Sequence, residues 1–180
     1  MLNLIDSKLV RQAGTIYGNL NSLRLREQDP GAKLKELVLT HMSADSIVCD
    51  LDPVAPSAGK KLFGRYSWFF NSTHPLAPKQ CDGAVHVEYR DREYLILLEM
   101  KSSASGMAKG RKQLKSGQAF AAYIQSLLGR ELHILTRLVY LGPMSPAPAS
   151  PRVPRFLPHM EIPVISSQGR AYLSFSQLIS

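Results

Sequence analysis

Cysteine is nearly missing from this chain. Cys49 and Cys81 are the only two, and neither stands in a metal-ligand spacing. A disulfide scaffold and a zinc cluster are therefore not expected to organise the fold, and a reduced, intracellular setting is. Long apolar runs are missing too. The opening residues, MLNLIDSKLVRQAG, carry Asp6 inside their only candidate apolar core, so neither a secretory signal nor a membrane-spanning helix is expected and no membrane partner is sought. In that setting the sequon Asn71-Ser72-Thr73 meets no glycosylation machinery. Acids are in deficit: 14 Asp and Glu against 22 Lys and Arg leave a formal net charge of +8. An excess of that size favours polyanionic partners, nucleic acid among them, through the long-range field.

What the chain does have is core. Of its 180 residues 44% are hydrophobic, enough to bury one sizeable interior. Leu4, Ile5, Leu9, Val10, Ala13, Ile16, Tyr17 and Leu20 recur at spacings of three and four and predict an amphipathic helix over 4–27, broken by Asp29-Pro30-Gly31. Leu34, Leu37, Val38 and His41 predict a second helix, with Lys33, Lys35 and Glu36 on its other sides. The stretch 45–52, DSIVCDLD, reads as a short strand. The following PVAPSAGKK reads as a loop whose Gly59-Lys60-Lys61 lacks the leading glycine of a phosphate loop, Val54 holding that position. Strands are predicted over 82–89 and 94–101 around the polar turn Arg90-Asp91-Arg92. A long helix should run from Gly106 to Leu128 with Leu114, Gly117, Phe120, Ala121, Ile124 and Leu128 inward. LHILTRLVYLG reads as a buried strand, 143–158 with its six prolines as an extended excursion, and EIPVIS and AYLSFS as terminal strands. No internal repeat is present. The order helix, strand, strand, strand, helix, strand implies an α/β fold with a mixed sheet flanked by helices.

The strand at 94–101 poses the functional question, because Leu95-Ile96-Leu97-Leu98 is apolar on both faces yet ends in Glu99-Met100-Lys101. Charges at the end of a buried strand are costly unless something uses them. Side chains alternate along a strand, so Leu95, Leu97, Glu99 and Lys101 share one face. If 82–101 is a hairpin with a two-residue turn, Asp82 lies across from Glu99 or from Lys101, on that face and about 5 Å away between Cα atoms. A three-residue turn would oppose it to Met100 instead. Two carboxylates that close repel unless a proton, a cation or the lysine intervenes. Oxygen ligands with open positions suit Mg²⁺ or Mn²⁺.

Asp82, a hairpin, and Glu99-x-Lys101 at the end of an apolar strand resemble the PD-(D/E)XK nuclease superfamily over roughly residues 31–141, with Cys81 in place of the proline before the aspartate. The resemblance implies a restriction-endonuclease-like αβββαβ core at 31–141 within one domain, a helical extension at 1–30, a Pro-rich loop at 142–160 and terminal strands at 161–180. It further implies a Mg²⁺- or Mn²⁺-dependent endonuclease. Asp82 and Glu99 would hold the metal with the Met100 carbonyl, Lys101 would stand near the attacking water, Glu36 or its rival Glu27 would complete the site, and Gln113 would be aimed at it. The glutamine-tyrosine motif of the recombination-type relatives is not reproduced by Gln118 and Tyr123.

The basic start of the long helix supplies the candidate phosphate contacts Lys109, Arg111, Lys112 and Lys115, with Ser102 beside them and Lys60, Lys61 and Arg65 as an alternative surface. His86 shares the Asp82 face further along and reads as a rim histidine. Tyr66, Trp68, Phe69 and Phe70 read as core. No target-reading motif is present, so specificity would come from a homodimer or a larger complex in restriction, repair, mobile-element or antiviral defence. The reading from another class is a non-catalytic nucleic-acid-binding or assembly subunit.

Overall fold

The structure, a computed structural model, describes residues 10–27, 29–51, 81–142 and 158–179. The expected first helix up to Leu9, the loop at 53–61, the aromatic cluster at 66–70 with its neighbouring cations, and most of the proline-rich segment lie outside the described residues. The described elements are β1 (Val10–Gln12), β2 (Gly14–Ile16), β3 (Asn19–Arg26), β4 (Glu36–Thr40), β5 (Ile47–Asp50), β6 (Gly83–Tyr89), β7 (Arg92–Lys101), α1 (Met107–Leu128), β8 (His133–Leu141), β9 (His159–Val164), β10 (Arg170–Ser174) and α2 (Phe175–Ile179). The fold is α/β with a mixed sheet. No described helix is long and apolar enough to cross a membrane.

Six strands form one sheet in the order β1-β5-β6-β7-β8-β9, antiparallel up to β7 and parallel from β7 to β9. β7 is central and buried on both faces, as its continuous apolar run requires. A second sheet, β10-β4-β3-β2, packs on one face. Leu23, Leu25, Leu37, Leu39 and Leu173 interlock there with Val85, Ile96, Leu98, Met100 and Val139. Helix α1 covers the opposite face, where Leu114 and Ala121 meet Ala84, Leu95, Leu97 and Leu138. Gly117 permits that approach, since a Cβ on it would lie 2.8 Å from Cys81 Sγ. Arg137 is fully buried on β8 and donates to the carbonyls of Leu178 and Thr136, tying α2 to the sheet. Burial lowers its pKa to about 10, which still leaves it charged at neutral pH.

Two expected helices are strands. Within 10–27, Leu23 and Leu25 point inward while Arg24 and Arg26 alternate outward, a period of two. Tyr17 and Gly18, at φ 49° and 79°, make the tight turn between β2 and β3. The second predicted helix is β4, which pairs antiparallel with β3 and parallel with β10. Leu37, Val38 and Leu39 are all fully buried. A short apolar run buried on both faces has no periodicity that separates strand from helix. The leading helix of the expected αβββαβ order is thus replaced by a strand, whereas the strand, strand, strand, helix, strand succession from β5 to β8 is as read.

Candidate functional site

The hairpin β6–β7 turns through Arg90 and Asp91, both left-handed at φ 50° and 57°, which is the primed two-residue turn. Its register opposes Gly83 to Leu98, and so brings Asp82 to Glu99 one position beyond. Asp82, Ala84 and His86 then share the α1 face with Leu97 and Glu99, while Gly83, Leu98 and Met100 face the second sheet. Gly83 is required there, because a Cβ on it would overlap the Leu25 side chain.

At the end of β7 the two acids are held reciprocally. The Asp82 amide donates to Glu99 Oε2 at 3.2 Å, and the Met100 amide donates to Asp82 Oδ2 at 2.6 Å. Lys101 Nζ donates to Glu99 Oε1. Glu99 is 0% exposed and Asp82 9%. Burial first, and the Asp82 charge second, push the Glu99 carboxyl up to about 9, with Lys101 opposing them. The shift is toward the neutral form, the direction that relieves two crowded carboxylates.

Helix α1 reaches the cluster through glycine. A Cβ on Gly110 would stand 2.6 Å from Leu138 Cδ1 and 3.3 Å from both Glu99 Cγ and Lys101 Cε, and one on Gly106 3.0 Å from Lys101 Cδ. The Lys101 stem thus runs under the start of α1. Gln113 follows one turn later between the buried Gly110 and Leu114, with its Oε1 buried. Lys109, Arg111, Lys112 and Lys115 are exposed on the outer side. No acid lies on this helix and no side chain caps its start, so Lys109 stands in the first turn, where the helix dipole is already positive, with Arg111, Lys112 and Lys115 following in the next turns. Arg111 is partly committed, its Nε 2.6 Å from Glu161 Oε1 on β9.

Glu36 belongs to a different cluster, with Tyr17, Arg24 and Arg170. On the outer side of the second sheet its two carboxylate oxygens each accept from Tyr17 Oη at 3.1 Å, and Arg24 and Arg170 stand 3.6 and 3.8 Å away. The further acid that acts electrostatically on Glu99 is Glu27, just past the end of β3. Its signal in the sequence was its place after the alternating Leu23 and Leu25 and before the Asp29-Pro30-Gly31 turn. Ser102 is also engaged: its hydroxyl accepts from the amides of Lys33 at 2.8 Å and Leu34 at 3.3 Å. His86 pairs with Glu93 at 2.9 Å, and Arg130 joins them at 2.8 Å, far along the hairpin from Glu99.

Among the described residues no three His, Cys, Asp or Glu side chains converge to hold a metal. A cation here would rest on Asp82 and Glu99, and the remaining positions would fall to a backbone carbonyl such as that of Met100, water and substrate oxygens, the ligand set Mg²⁺ accepts. Two buried carboxyls this close, one of them pushed toward its neutral form, fit a place where a divalent cation could relieve their crowding. No protein-family model matches the chain, and no curated protein and no solved structure matches it either.

Proposed function

We propose that this chain is a metal-dependent phosphodiesterase acting on nucleic acid, DNA before RNA, with a restriction-endonuclease-like core to which β5, β6, β7, α1 and β8 would correspond. The observation that carries the reading is the meeting of Asp82, Glu99 and Lys101 at the end of one buried strand, with a carboxyl so destabilised as an anion that its pKa rises to about 9. Such an arrangement is costly for folding and becomes useful when a hard cation arrives. Asp82 and Glu99 would hold Mg²⁺ or Mn²⁺. That cation, when bound, supplies charge neutralisation for an in-line displacement at phosphorus.

Lys101 cannot coordinate a cation. Its ammonium donates instead, to the attacking water or to the charge developing on the phosphate. In the structure that ammonium donates to Glu99, and a cation held by Asp82 and Glu99 would compete with it for the carboxylate and leave Lys101 able to turn toward water or phosphate. The electropositive start of α1, with Lys109 and Lys112 exposed beside it, positions the phosphate backbone. Target choice then rests with a second copy or a partner protein in a restriction, repair, mobile-element or defence setting.

A second reading, a non-catalytic nucleic-acid-binding subunit, draws support from the reciprocal bonds of the site, which satisfy Glu99 by Lys101 and the Asp82 amide without any metal. One experiment separates the two. Plasmid, single-stranded DNA and RNA are incubated with the protein in Mg²⁺, Mn²⁺ or EDTA. Metal-dependent cleavage that Lys101→Ala removes supports the enzyme; binding without cleavage of any substrate in either metal supports the subunit.

A further inference from the structure

We infer that the connection from Asp29 to Lys35, hung on Ser102, is the second cationic wall of a cleft for a nucleic-acid backbone, with Lys33 as its phosphate contact and Ser102 as the residue that positions it. The inference rests on the nucleic-acid reading above and adds to it a surface on the side of Lys101 away from α1. Residues 29–35 join β3 to β4 and cross the end of β7. Asp29 closes the turn by accepting from the Gly31 amide on Oδ1 at 2.9 Å and from the Ala32 amide on its carbonyl at 3.0 Å. Ser102 then takes the next two amides, those of Lys33 and Leu34, on one hydroxyl oxygen. Leu34 is buried below as an anchor. At the far end the Lys35 and Glu36 amides donate to the Gly169 carbonyl at 2.7 and 3.0 Å, and the Glu27 amide donates to the Lys35 carbonyl at 2.9 Å.

The segment is thus fixed at both ends, and Ser102 is the contact that fixes its middle. Ser102 directly follows Lys101, whose stem passes under Gly106 and Gly110 of α1. The acid-lysine cluster is therefore bordered by the start of α1 on one side and by Lys33 on the other. Arg24, Arg111, Arg130 and Arg170 each face an acid. Lys33, Lys109 and Lys112 are exposed and, among the described residues, face none. Uncompensated cations on both borders of two buried carboxylates suit a polyanion whose phosphates pass on either side of one that reaches the cluster. A preorganised segment keeps that charge in place at little ordering cost on binding.

The test is equilibrium binding of the full chain to labelled duplex DNA, single-stranded DNA and RNA by fluorescence anisotropy, in EDTA so that nothing is cut, over a series of salt concentrations. Lys33→Gln should weaken binding several-fold and flatten the salt dependence by about 0.9 for duplex, one phosphate contact. Ser102→Ala should weaken binding comparably while Ser102→Thr, which keeps the hydroxyl, restores it. Arg130→Gln, at the far end of the hairpin, should bind as wild type. If Ser102→Ala lowers the melting temperature enough to confuse its reading, Lys33→Gln decides alone, since it lies on an exposed side chain. An unchanged salt slope in Lys33→Gln overturns the inference, even if wild type cleaves DNA in Mg²⁺. A Lys33-dependent slope in a protein that never cleaves upholds the inference and removes the nuclease reading. Absence of salt-sensitive binding to all three nucleic acids overturns both the inference and the nucleic-acid reading it rests on.

Discussion

Replacing Glu99 by glutamine isolates the electrostatic strain of the site. In the folded, metal-free protein the Glu99 carboxyl is raised from 4.5 to about 9 by burial and by the Asp82 charge. In the unfolded chain it ionises near its ordinary value. Between those two pH values the folded state therefore holds a proton that the unfolded state has released. Stability must fall as pH rises through this window and level off above the folded pKa. The interval from 4.5 to about 9, at about 1.4 kcal/mol per tenfold change in proton activity, sets a ceiling of about 6 kcal/mol. The realised value should be about 2–4 kcal/mol, because buried sites relax and single substitutions beyond that are exceptional. Glu99→Gln imitates the neutral acid and keeps one oxygen for Lys101, giving up the acceptor on the Asp82 amide. Urea unfolding in EDTA should accordingly find the two proteins about equal at pH 4.5, and the variant more stable at pH 9, with unchanged denaturant slopes. A difference that does not depend on pH, or a wild type that gains on the variant as pH rises, would refute the reasoning.

Three further outcomes follow from the same geometry. Lys101→Ala should abolish cleavage while calorimetry still detects Mg²⁺ binding, whereas Asp82→Ala should lose both, because a carboxylate is a hard ligand and an ammonium is none; cleavage that persists in both variants places the chemistry elsewhere. Gly110→Ala puts a methyl group 2.6 Å from Leu138 Cδ1 and should lower stability by about 1–3 kcal/mol in thermal or urea unfolding, with loss of activity as α1 lifts from Lys101; a neutral result would mean that α1 is not seated on the cluster. Arg90→Asn with Asp91→Gly should stabilise the protein by about 1 kcal/mol, since both turn residues sit at positive φ; no gain in the urea midpoint would argue against the two-residue turn.

Much of the site was legible in the sequence because it depends on local rules. The apolar run of β7 set its central place and the period of two put Glu99 and Lys101 on one face, while the polar turn Arg90-Asp91-Arg92 left open whether Asp82 meets Glu99, Lys101 or Met100 until the hairpin register placed it across from Glu99. The long helix after it was legible from inward positions three and four apart with glycines among them. Residues 10–40 were not. Val10, Ala13, Ile16, Tyr17 and Leu20 satisfy helical spacing, but Val10 is held in β1 by the distant β5, Ile16 and Leu20 lie in the β2–β3 hairpin, and β4 after them is held by β3 and the distant β10. Leu37-Val38-Leu39 is buried on both faces, so its pattern carries no period to read. Because that segment is a strand, Glu36 turns toward Tyr17, Arg24 and Arg170, and Glu27 becomes the further acid acting on Glu99. Ser102 likewise read only as a candidate phosphate contact beside the basic helix. Only the tertiary structure, by laying residues 29–35 across the end of β7, supplies the two amides that it accepts and so decides what stands on the second side of the site.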